Sequence, residues 1–248
     1  MSQGWELDWL TLHSSARVME NAWRGVETQY IAASMKLVDS LDEQALLEAL
    51  LEGSKPPAQG EANRQHYLLL SPFRYFPQHE SRFRPAQRSG LWYGAATLDG
   101  ACSEVAYWRL RFLLDSTGLA LDGELITEHT FFQASVSGRA INLMAEPWSG
   151  LSHLWKHPSD YRDTQALAEA ALRASVDWIQ YESVRAPRCA LAAVLSPSAV
   201  HAVPAKLERS KQEWVCKATR SGVMMIRKNG MGRFEWREQE NQADGGMI

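Results

Sequence analysis

The chain has 248 residues, of which 45% are hydrophobic and 22% charged, and this composition is typical of a soluble protein with one large domain. Its formal net charge of −3 provides no overall basic field, so we expect no direct binding of nucleic acid. The apolar runs are too short to span a membrane, and the first residues lack the basic start and apolar core of a signal peptide. We therefore expect a cytoplasmic protein with no membrane partner.

The first part of the chain predicts two helices. Between Ser14 and Val38, apolar residues recur at three- and four-residue steps, which is the spacing of one helix face. A second helix is predicted to begin at Ser40, whose hydroxyl can cap Glu43, and to end at Gly53. A linker is expected to follow.

We expect residues 1–62 to form a helical extension outside the main domain. The apolar stripes of two such short helices need a larger core to pack on. That core belongs either to the same chain or to a second subunit. The second alternative predicts a homodimer, with Trp23 and Tyr30 as anchors of the interface.

Beyond the linker, short apolar runs typical of strands alternate with helical periodicity. Strands are predicted at His66–Ser71, Gly90–Thr97, Cys189–Leu195, Val223–Lys228 and Gly232–Trp236, and helices at Gly100–Leu114 and Thr164–Ile179. The last two strands flank Asn229-Gly230, a strong signal for a hairpin. This order predicts an α+β domain over residues 63–238, with a mixed sheet core and flanking helices, and a frayed tail at 239–248.

The sequence contains no pattern that predicts a metal site or a common nucleotide fingerprint. Neither a Rossmann nor a P-loop glycine motif is present, and no paired histidines or cysteines have the spacing of zinc ligands. The three cysteines are too few and too scattered for a disulfide framework. We therefore expect chemistry without a metal or a bound cofactor.

One region combines arginines, aromatic residues and a carboxylate in close succession. Its segments are Ser71-Pro72-Phe73-Arg74-Tyr75-Phe76, Ser81-Arg82-Phe83-Arg84, Gly90-Leu91-Trp92-Tyr93-Gly94-Ala95 and Cys102-Ser103-Glu104-Val105-Ala106. Guanidinium forks bind pyrophosphate bidentately, and aromatic rings stack on planar bases. The pattern therefore fits a binding site for a planar, phosphate-bearing ligand. Taken alone, however, the pattern favours a charged surface beside an aromatic core.

These residues resemble the RES domain, a family named for its arginine, glutamate and serine. Tyr93 follows Arg82 by eleven residues and Glu104 follows Tyr93 by eleven more, which are the spacings of the family. The segment Tyr181-Glu182-Ser183-Val184-Arg185 matches the family's later serine element, and Arg74 matches an arginine near the start of the domain.

The resemblance covers about residues 67–204 and has one departure. The family's arginine lies in a turn that reads Gly-Arg-Trp-Asn, whereas this chain has Ser81-Arg82-Phe83-Arg84. The contact of the missing asparagine is therefore lost or replaced by Arg84.

The resemblance implies an ADP-ribosyltransferase-like fold and an enzyme that degrades NAD⁺ as its substrate. Glu104 would stabilise positive charge on the ribose or bind a ribose hydroxyl, and Arg82 would hold the pyrophosphate. Tyr93 would stack on the nicotinamide ring, and Ser183 would donate a hydrogen bond to the ribose or the carboxamide. Two further phosphate contacts are implied, Arg74 and Arg185.

Each of these residues also has a purely structural interpretation. Glu104 on a helix could be a solvated carboxylate, and Ser183 could cap a turn. Tyr93 could belong to the core, and Arg82 could pair with Glu80 on the surface.

The sequence leaves the acceptor open. Water would make the enzyme a glycohydrolase, phosphate a phosphorylase, and a protein side chain a mono-ADP-ribosyltransferase. The resemblance also implies a toxin that is neutralised by an Xre-like antitoxin protein. The alternative from a different class is a protein-binding module without catalysis, for which the ten tryptophans would supply the interface.

Overall fold

The computed structural model of the protein describes residues 5–28, 38–54, 66–118 and 123–237. Its helices are α1 (Leu7–Leu12), α2 (Leu41–Ser54), α3 (Tyr67–Arg74), α4 (Leu98–Asp115), α5 (Ser152–Trp155), α6 (Arg162–Arg173) and α7 (Pro204–Ser210). Its strands are β1 (Ser15–Glu27), β2 (Trp92–Ala95), β3 (Leu125–Asn142), β4 (Trp178–Glu182), β5 (Ala190–Val194), β6 (Val200–His201), β7 (Gln212–Thr219), β8 (Gly222–Arg227) and β9 (Arg233–Trp236). Within these ranges, none of the helices combines the length and the apolar character that a membrane crossing needs.

The strands of the described residues form one mixed sheet. Neighbouring strands follow the order β1-β2-β5-β4-β3-β7-β8-β9, and β6 pairs with β3. Because β1 also pairs with β3, the strands β1, β2, β5, β4 and β3 form a closed ring. Only β3 and β4 run parallel among the described pairs. The predicted α+β class with a mixed sheet and flanking helices is confirmed.

The sheet separates two hydrophobic cores. Residues of α4 and α6 belong to one core, together with Phe131 and Ile179 of the sheet. The leucines of α3 and Leu207 of α7 belong to the other, together with Trp92 and Trp178. Successive side chains of a strand alternate between faces, so Tyr93 points away from Trp92 and packs against the first core.

The predicted helix between Ser14 and Val38 is wrong where the structure describes it, because Ser15–Glu27 is a strand. Met19 pairs with Val136 and Ala22 with Ala134, so β1 has one more residue than β3 between these pairs. This bulge places Met19 and Ala22 on the same buried side although they are three residues apart. The three-residue step that mimics a helix face therefore comes from a β-bulge. Residues 29–37 lie outside the described residues.

Because Ser15–Glu27 is a strand, the predicted helical extension of residues 1–62 is not helical throughout. β1 pairs with β3 from Ser15 to Glu27, so the segment is part of the central sheet and not a purely helical addition. Trp23 packs against the chain's own first core, and Tyr30 lies outside the described residues. The predicted homodimer stays a prediction.

Two further elements differ from expectation. The predicted strand His66–Ser71 is wrong, since α3 covers this segment and the His66 ring caps it by accepting a hydrogen bond of 3.2 Å from the amide of Leu68. A short apolar run is ambiguous between a buried strand and a buried helix. The predicted helix Thr164–Ile179 ends at Arg173, because Ser175 has a φ of 55° and the chain enters β4 at Trp178.

The other predicted elements are confirmed, with small changes at their ends. Helix α2 begins after Ser40, whose hydroxyl accepts a hydrogen bond of 3.2 Å from the amide of Glu43. β2, α4 and β5 lie where the sequence predicts them, and β8 and β9 form the hairpin around Gly230, which has a φ of 74°. The predicted linker and tail fall outside the described residues.

Candidate active site

A cavity of about 350 Å³ lies where β1, β2 and α4 meet the turn at residues 81–84. Its lining includes charged and aromatic side chains from distant parts of the chain. They are Trp23, Arg24, Glu27, Arg82, Tyr93, Glu104, Trp108, Arg109, His129, Tyr161, Tyr181 and Arg185. Of the six site residues that the resemblance implies, Arg82, Tyr93, Glu104 and Arg185 are in this lining.

Arg82 is buried at the cavity, with 7% of its surface exposed. Its Nη1 donates to the carbonyl oxygens of Trp155 at 2.7 Å and His157 at 2.9 Å. Its Nη2 is buried and has no partner among the described residues. The interpretation of Arg82 as one half of a surface ion pair with Glu80 is wrong, because the residue is buried and no such pair forms.

Tyr93 organises the turn that carries Arg82. Its hydroxyl exchanges a hydrogen bond of 2.9 Å with the Ser81 hydroxyl and accepts one of 3.3 Å from the amide of Phe83. Burial raises the pKa of Tyr93, so the phenol stays neutral. The hydroxyl thus anchors the turn while the ring lines the cavity.

Glu104 and Ser183 are in direct contact, although 79 residues separate them. The Ser183 hydroxyl donates to Oε1 of Glu104 at 2.7 Å. The same hydroxyl oxygen accepts from the amides of Arg185 at 3.1 Å and Ala186 at 2.9 Å. Ser183 is therefore both the cap of a turn, as the structural interpretation predicts, and a partner of Glu104.

Arg185 is held at the cavity by aromatic side chains. Its guanidinium carbon lies 3.9 Å from the ring centroid of Tyr107, and its Nη2 donates to the Tyr161 hydroxyl at 3.2 Å. Burial is the largest single effect and opposes the charge of Arg185, but the Glu104 carboxylate and the phenols of Tyr161 and Tyr107 together outweigh it, so that the pKa of Arg185 is raised. Arg74, by contrast, ends α3 and is not part of the cavity lining. The Arg84 guanidinium donates hydrogen bonds to the carbonyl oxygens of Pro77 and Pro85 and therefore stabilises its own loop.

Several residues of the cavity lining cannot be identified from sequence motifs. Tyr161 packs under Arg82, with 5.0 Å between its ring centroid and the guanidinium carbon. Trp23 and Arg24 belong to β1, which periodicity assigns to a helix. Arg109 forms an ion pair of 2.8 Å with Glu27. No sequence motif connects these residues with Arg82, because only the packing of distant segments brings them together.

His129 lines the cavity as a buried imidazole. Its Nε2 shares a hydrogen bond of 2.9 Å with the Thr127 hydroxyl, and its Nδ1 has no partner among the described residues. Burial, assisted by the charge of Arg109, lowers the pKa of His129 to about 4. The ring is therefore neutral at physiological pH.

The charges around the cavity favour an anionic ligand. The lining contains four arginines (24, 82, 109 and 185) and two glutamates (27 and 104), and His129 adds no charge. Two positive charges thus exceed the negative ones in a partly enclosed space, where electrostatic interactions are stronger than in water. In the part of the chain that the structure describes, no group of three or more His, Cys, Asp or Glu residues could hold a metal ion.

Among three comparisons with known proteins, the match to a family model supports the resemblance that the motifs suggest. A search of curated proteins found no match. A solved structure described as the crystal structure of the M. tuberculosis MbcT–MbcA toxin–antitoxin complex is similar to this chain, with 13% sequence identity and a TM-score of 0.46. The similarity covers 86% of this chain and 92% of that chain. The family model of the RES domain matches residues 60–216, which is more than half of the sequence. The chain belongs to the RES-domain family.

Proposed function

We propose that this chain cleaves the bond between nicotinamide and ribose in NAD⁺. The observation that carries the proposal is the meeting of Arg82, Tyr93, Glu104 and Arg185 at one cavity, with Ser183 hydrogen-bonded to Glu104 at 2.7 Å. These five residues are the ones that a RES enzyme would need for this reaction.

The charge of the cavity supports a dinucleotide as the ligand. The diphosphate of NAD⁺ carries two negative charges, and the lining has an excess of two positive ones. Arg82 retains an unpaired Nη2 among the described residues. A buried donor without an acceptor is costly, so a phosphate oxygen would relieve this cost.

In the proposed reaction, the bond between C1′ of the ribose and the nicotinamide nitrogen breaks. Its electron pair leaves with nicotinamide and neutralises the positive ring, while positive charge develops on the ribose. The Glu104 carboxylate would stabilise that charge, as carboxylates do in glycosidases. Ser183 holds Oε1 of Glu104, and this bond would keep the carboxylate oriented.

The group that attacks C1′ of the ribose, the acceptor, determines the second product of the reaction. When water attacks C1′, the products are ADP-ribose, nicotinamide and one proton. When inorganic phosphate attacks, the product carries the phosphate on the same carbon. A protein side chain as acceptor would make the chain a mono-ADP-ribosyltransferase.

The aromatic residues of the cavity would bind the planar rings. The phenol of Tyr181 stays protonated, because burial and the nearby Glu104 raise its pKa well above the usual value. Burial also raises the pKa of Tyr93, so its phenol is neutral as well. We assign the stacking on nicotinamide to Tyr93.

The decisive experiment incubates the purified full-length protein with NAD⁺ and follows nicotinamide by chromatography, with and without phosphate. We expect nicotinamide release by the wild type and none by Glu104→Gln. The second product, ADP-ribose or its phosphorylated form, identifies the acceptor. A wild type that leaves NAD⁺ intact under both conditions, while remaining folded, contradicts the proposal.

Loss of NAD⁺ would arrest the cell that makes this protein, so we further propose that it acts as a toxin. Family resemblance suggests an Xre-like antitoxin as its partner, and we assign the open mouth of the cavity as the region to be blocked. Expression of the wild type should stop growth, expression of Glu104→Gln should not, and co-expression of the partner should restore it. Growth arrest by the Glu104→Gln protein as well would point to a cause other than NAD⁺ cleavage.

A further inference from the structure

Strand β1 forms one wall of the cavity although it precedes the segment that matches the RES family. The match begins at residue 60, whereas β1 ends at Glu27. Trp23, Arg24, Gly25 and Glu27 all line the cavity. The wall is rigidly placed, since β1 pairs with β3 through most of its length.

Arg24 is a partly buried cation with few partners among the described residues. Its Nη1 donates to the carbonyl oxygen of Tyr93 at 2.9 Å, and its guanidinium carbon lies 5.6 Å from the Trp92 ring centroid. Its Nε is buried and has no acceptor among the described residues. Burial lowers the pKa of Arg24 to about 10, so the side chain is still charged at neutral pH.

The two glutamates of the cavity are engaged elsewhere. Glu27 forms an ion pair of 2.8 Å with Arg109. Glu104 accepts the Ser183 hydroxyl at 2.7 Å, and its charge acts on Arg185. Among the described residues, Arg24 therefore lacks a carboxylate partner, and burying a charge without one is costly. An anionic ligand in the cavity would supply the missing counter-charge.

We propose that Arg24 is a binding residue for the diphosphate of the substrate and provides a second cation in addition to Arg82. This inference rests on the proposed function in so far as the ligand is a dinucleotide. The contact to the Tyr93 carbonyl and the Trp92 ring keeps the guanidinium in place before the ligand arrives, which lowers the entropy cost of binding. The N-terminal strand is thus part of the site and not only part of the fold.

The test measures binding of three probes by calorimetry: inorganic pyrophosphate, nicotinamide riboside, which has no phosphate, and NAD⁺. We expect Arg24→Gln to weaken pyrophosphate and NAD⁺ about ten- to a hundredfold and to leave nicotinamide riboside unchanged. Arg24→Lys should weaken pyrophosphate about three- to tenfold, since a point charge replaces a planar fork. In turnover, KM for NAD⁺ should rise far more than kcat falls.

Arg17→Gln is the matched control, because it removes the same charge from the same strand but lies outside the cavity lining. Its affinities should equal those of the wild type. A folded Arg24→Gln protein that binds pyrophosphate as tightly as the wild type overturns the inference. If Arg24→Gln does not fold, unchanged pyrophosphate binding by Arg24→Lys has the same consequence.

The outcomes separate this inference from the proposed function. If the wild type releases nicotinamide and Arg24→Gln has an unchanged KM, the inference fails and the proposed function stands. If the wild type binds pyrophosphate through Arg24 but never releases nicotinamide, the anion site stands and the proposed function fails.

Discussion

Glu104 and Ser183 are in contact although 79 residues separate them, and this contact joins the glutamate and the serine of the RES pattern. At the scale of single residues, the side chains that line the cavity have different physical roles. Arg82 and Arg185 bring charge, Glu104 brings the carboxylate, and Tyr93 holds the turn. From each role we expect a different effect of substitution.

Glu104→Gln is expected to abolish nicotinamide release and to leave the fold intact. The amide keeps the size of the side chain but removes the charge that would stabilise the ribose cation. Nicotinamide chromatography gives the activity, and thermal unfolding monitors the fold. Asp115→Asn is the control, since Asp115 ends the same helix and forms an exposed ion pair with Arg111. Full turnover by a folded Glu104→Gln protein would remove Glu104 from the mechanism.

Arg82→Lys is expected to weaken NAD⁺ binding about ten- to a hundredfold. A lysine cannot bind the diphosphate as a fork and also hold the carbonyls of Trp155 and His157, as Nη1 of Arg82 does. Calorimetry measures the affinity. Arg111→Lys on the exposed side of α4 is the matched control. Equal affinity in Arg82→Lys and wild type would restrict Arg82 to its structural contacts.

His129 predicts a loss of stability in acid. Because burial lowers its folded pKa from 6.5 to about 4, the unfolded chain binds a proton in this range that the folded chain does not. Stability should therefore fall as pH decreases from 6.5 to about 4, by about 3 kcal/mol from this group. Urea unfolding of wild type and His129→Gln at several pH values isolates the contribution. Identical pH profiles for the two proteins would show that the imidazole does not titrate as inferred.

At the scale of elements, β1 and α4 both contribute residues to the lining of the cavity. They approach closely at Gly25, where an added Cβ would lie 2.6 Å from Phe131 and 2.8 Å from Val105. Glycine is therefore the residue that allows the strand to lie against the helix. The bulge at residues 19–22 changes the alternation of β1 before this point.

Gly25→Ala is expected to destabilise the protein by about 1–3 kcal/mol, because packed side chains must shift to admit the methyl group. The same shift should alter the cavity and weaken NAD⁺ binding. Urea unfolding and calorimetry measure the two effects. Gly118→Ala is the control, since an added Cβ there has no heavy atom within 4 Å. Equal stability of Gly25→Ala and wild type would mean that the strand and helix are less tightly packed than described.

At the scale of the whole molecule, the N-terminal segment is an integral part of the sheet. β1 closes the ring by pairing with both β2 and β3. Without it, the buried side chains of Phe132 and Ala134 would lose their cover on one side. The side chains of Leu46 and Leu50 in α2 are exposed on the surface of this chain. In the predicted dimer, a second subunit would cover them.

A truncation that starts at Gly60 is expected to lose the cooperative fold and any nicotinamide release. The truncated chain lacks the strand that pairs with β3 and the wall that carries Arg24. Circular dichroism and thermal unfolding measure the fold, and light scattering of the full-length protein measures the predicted dimer. A chain without residues 1–4 retains every described element and is the control. A soluble, active Gly60 truncation would contradict the role given to β1.

The sequence by itself determined the family, the class of fold and four of the residues that line the candidate site. Local signals suffice for this: the caps and turns at Ser40 and Gly230 specify element ends, and the equal spacings of Arg82, Tyr93 and Glu104 identify the motif. Spacing along the chain, however, says nothing about residues that reach the cavity from elsewhere.

Only the tertiary structure decided that the N-terminal segment is a strand and that Arg24 lines the site. The bulge in β1 gives a strand the apolar spacing of a helix, and pairing with β3 overrides this local pattern. The contacts of Ser183 with Glu104 and of Arg82 with the carbonyls of Trp155 and His157 likewise depend on how distant segments pack. Such contacts form only when distant segments pack together, and no single stretch of sequence encodes that packing.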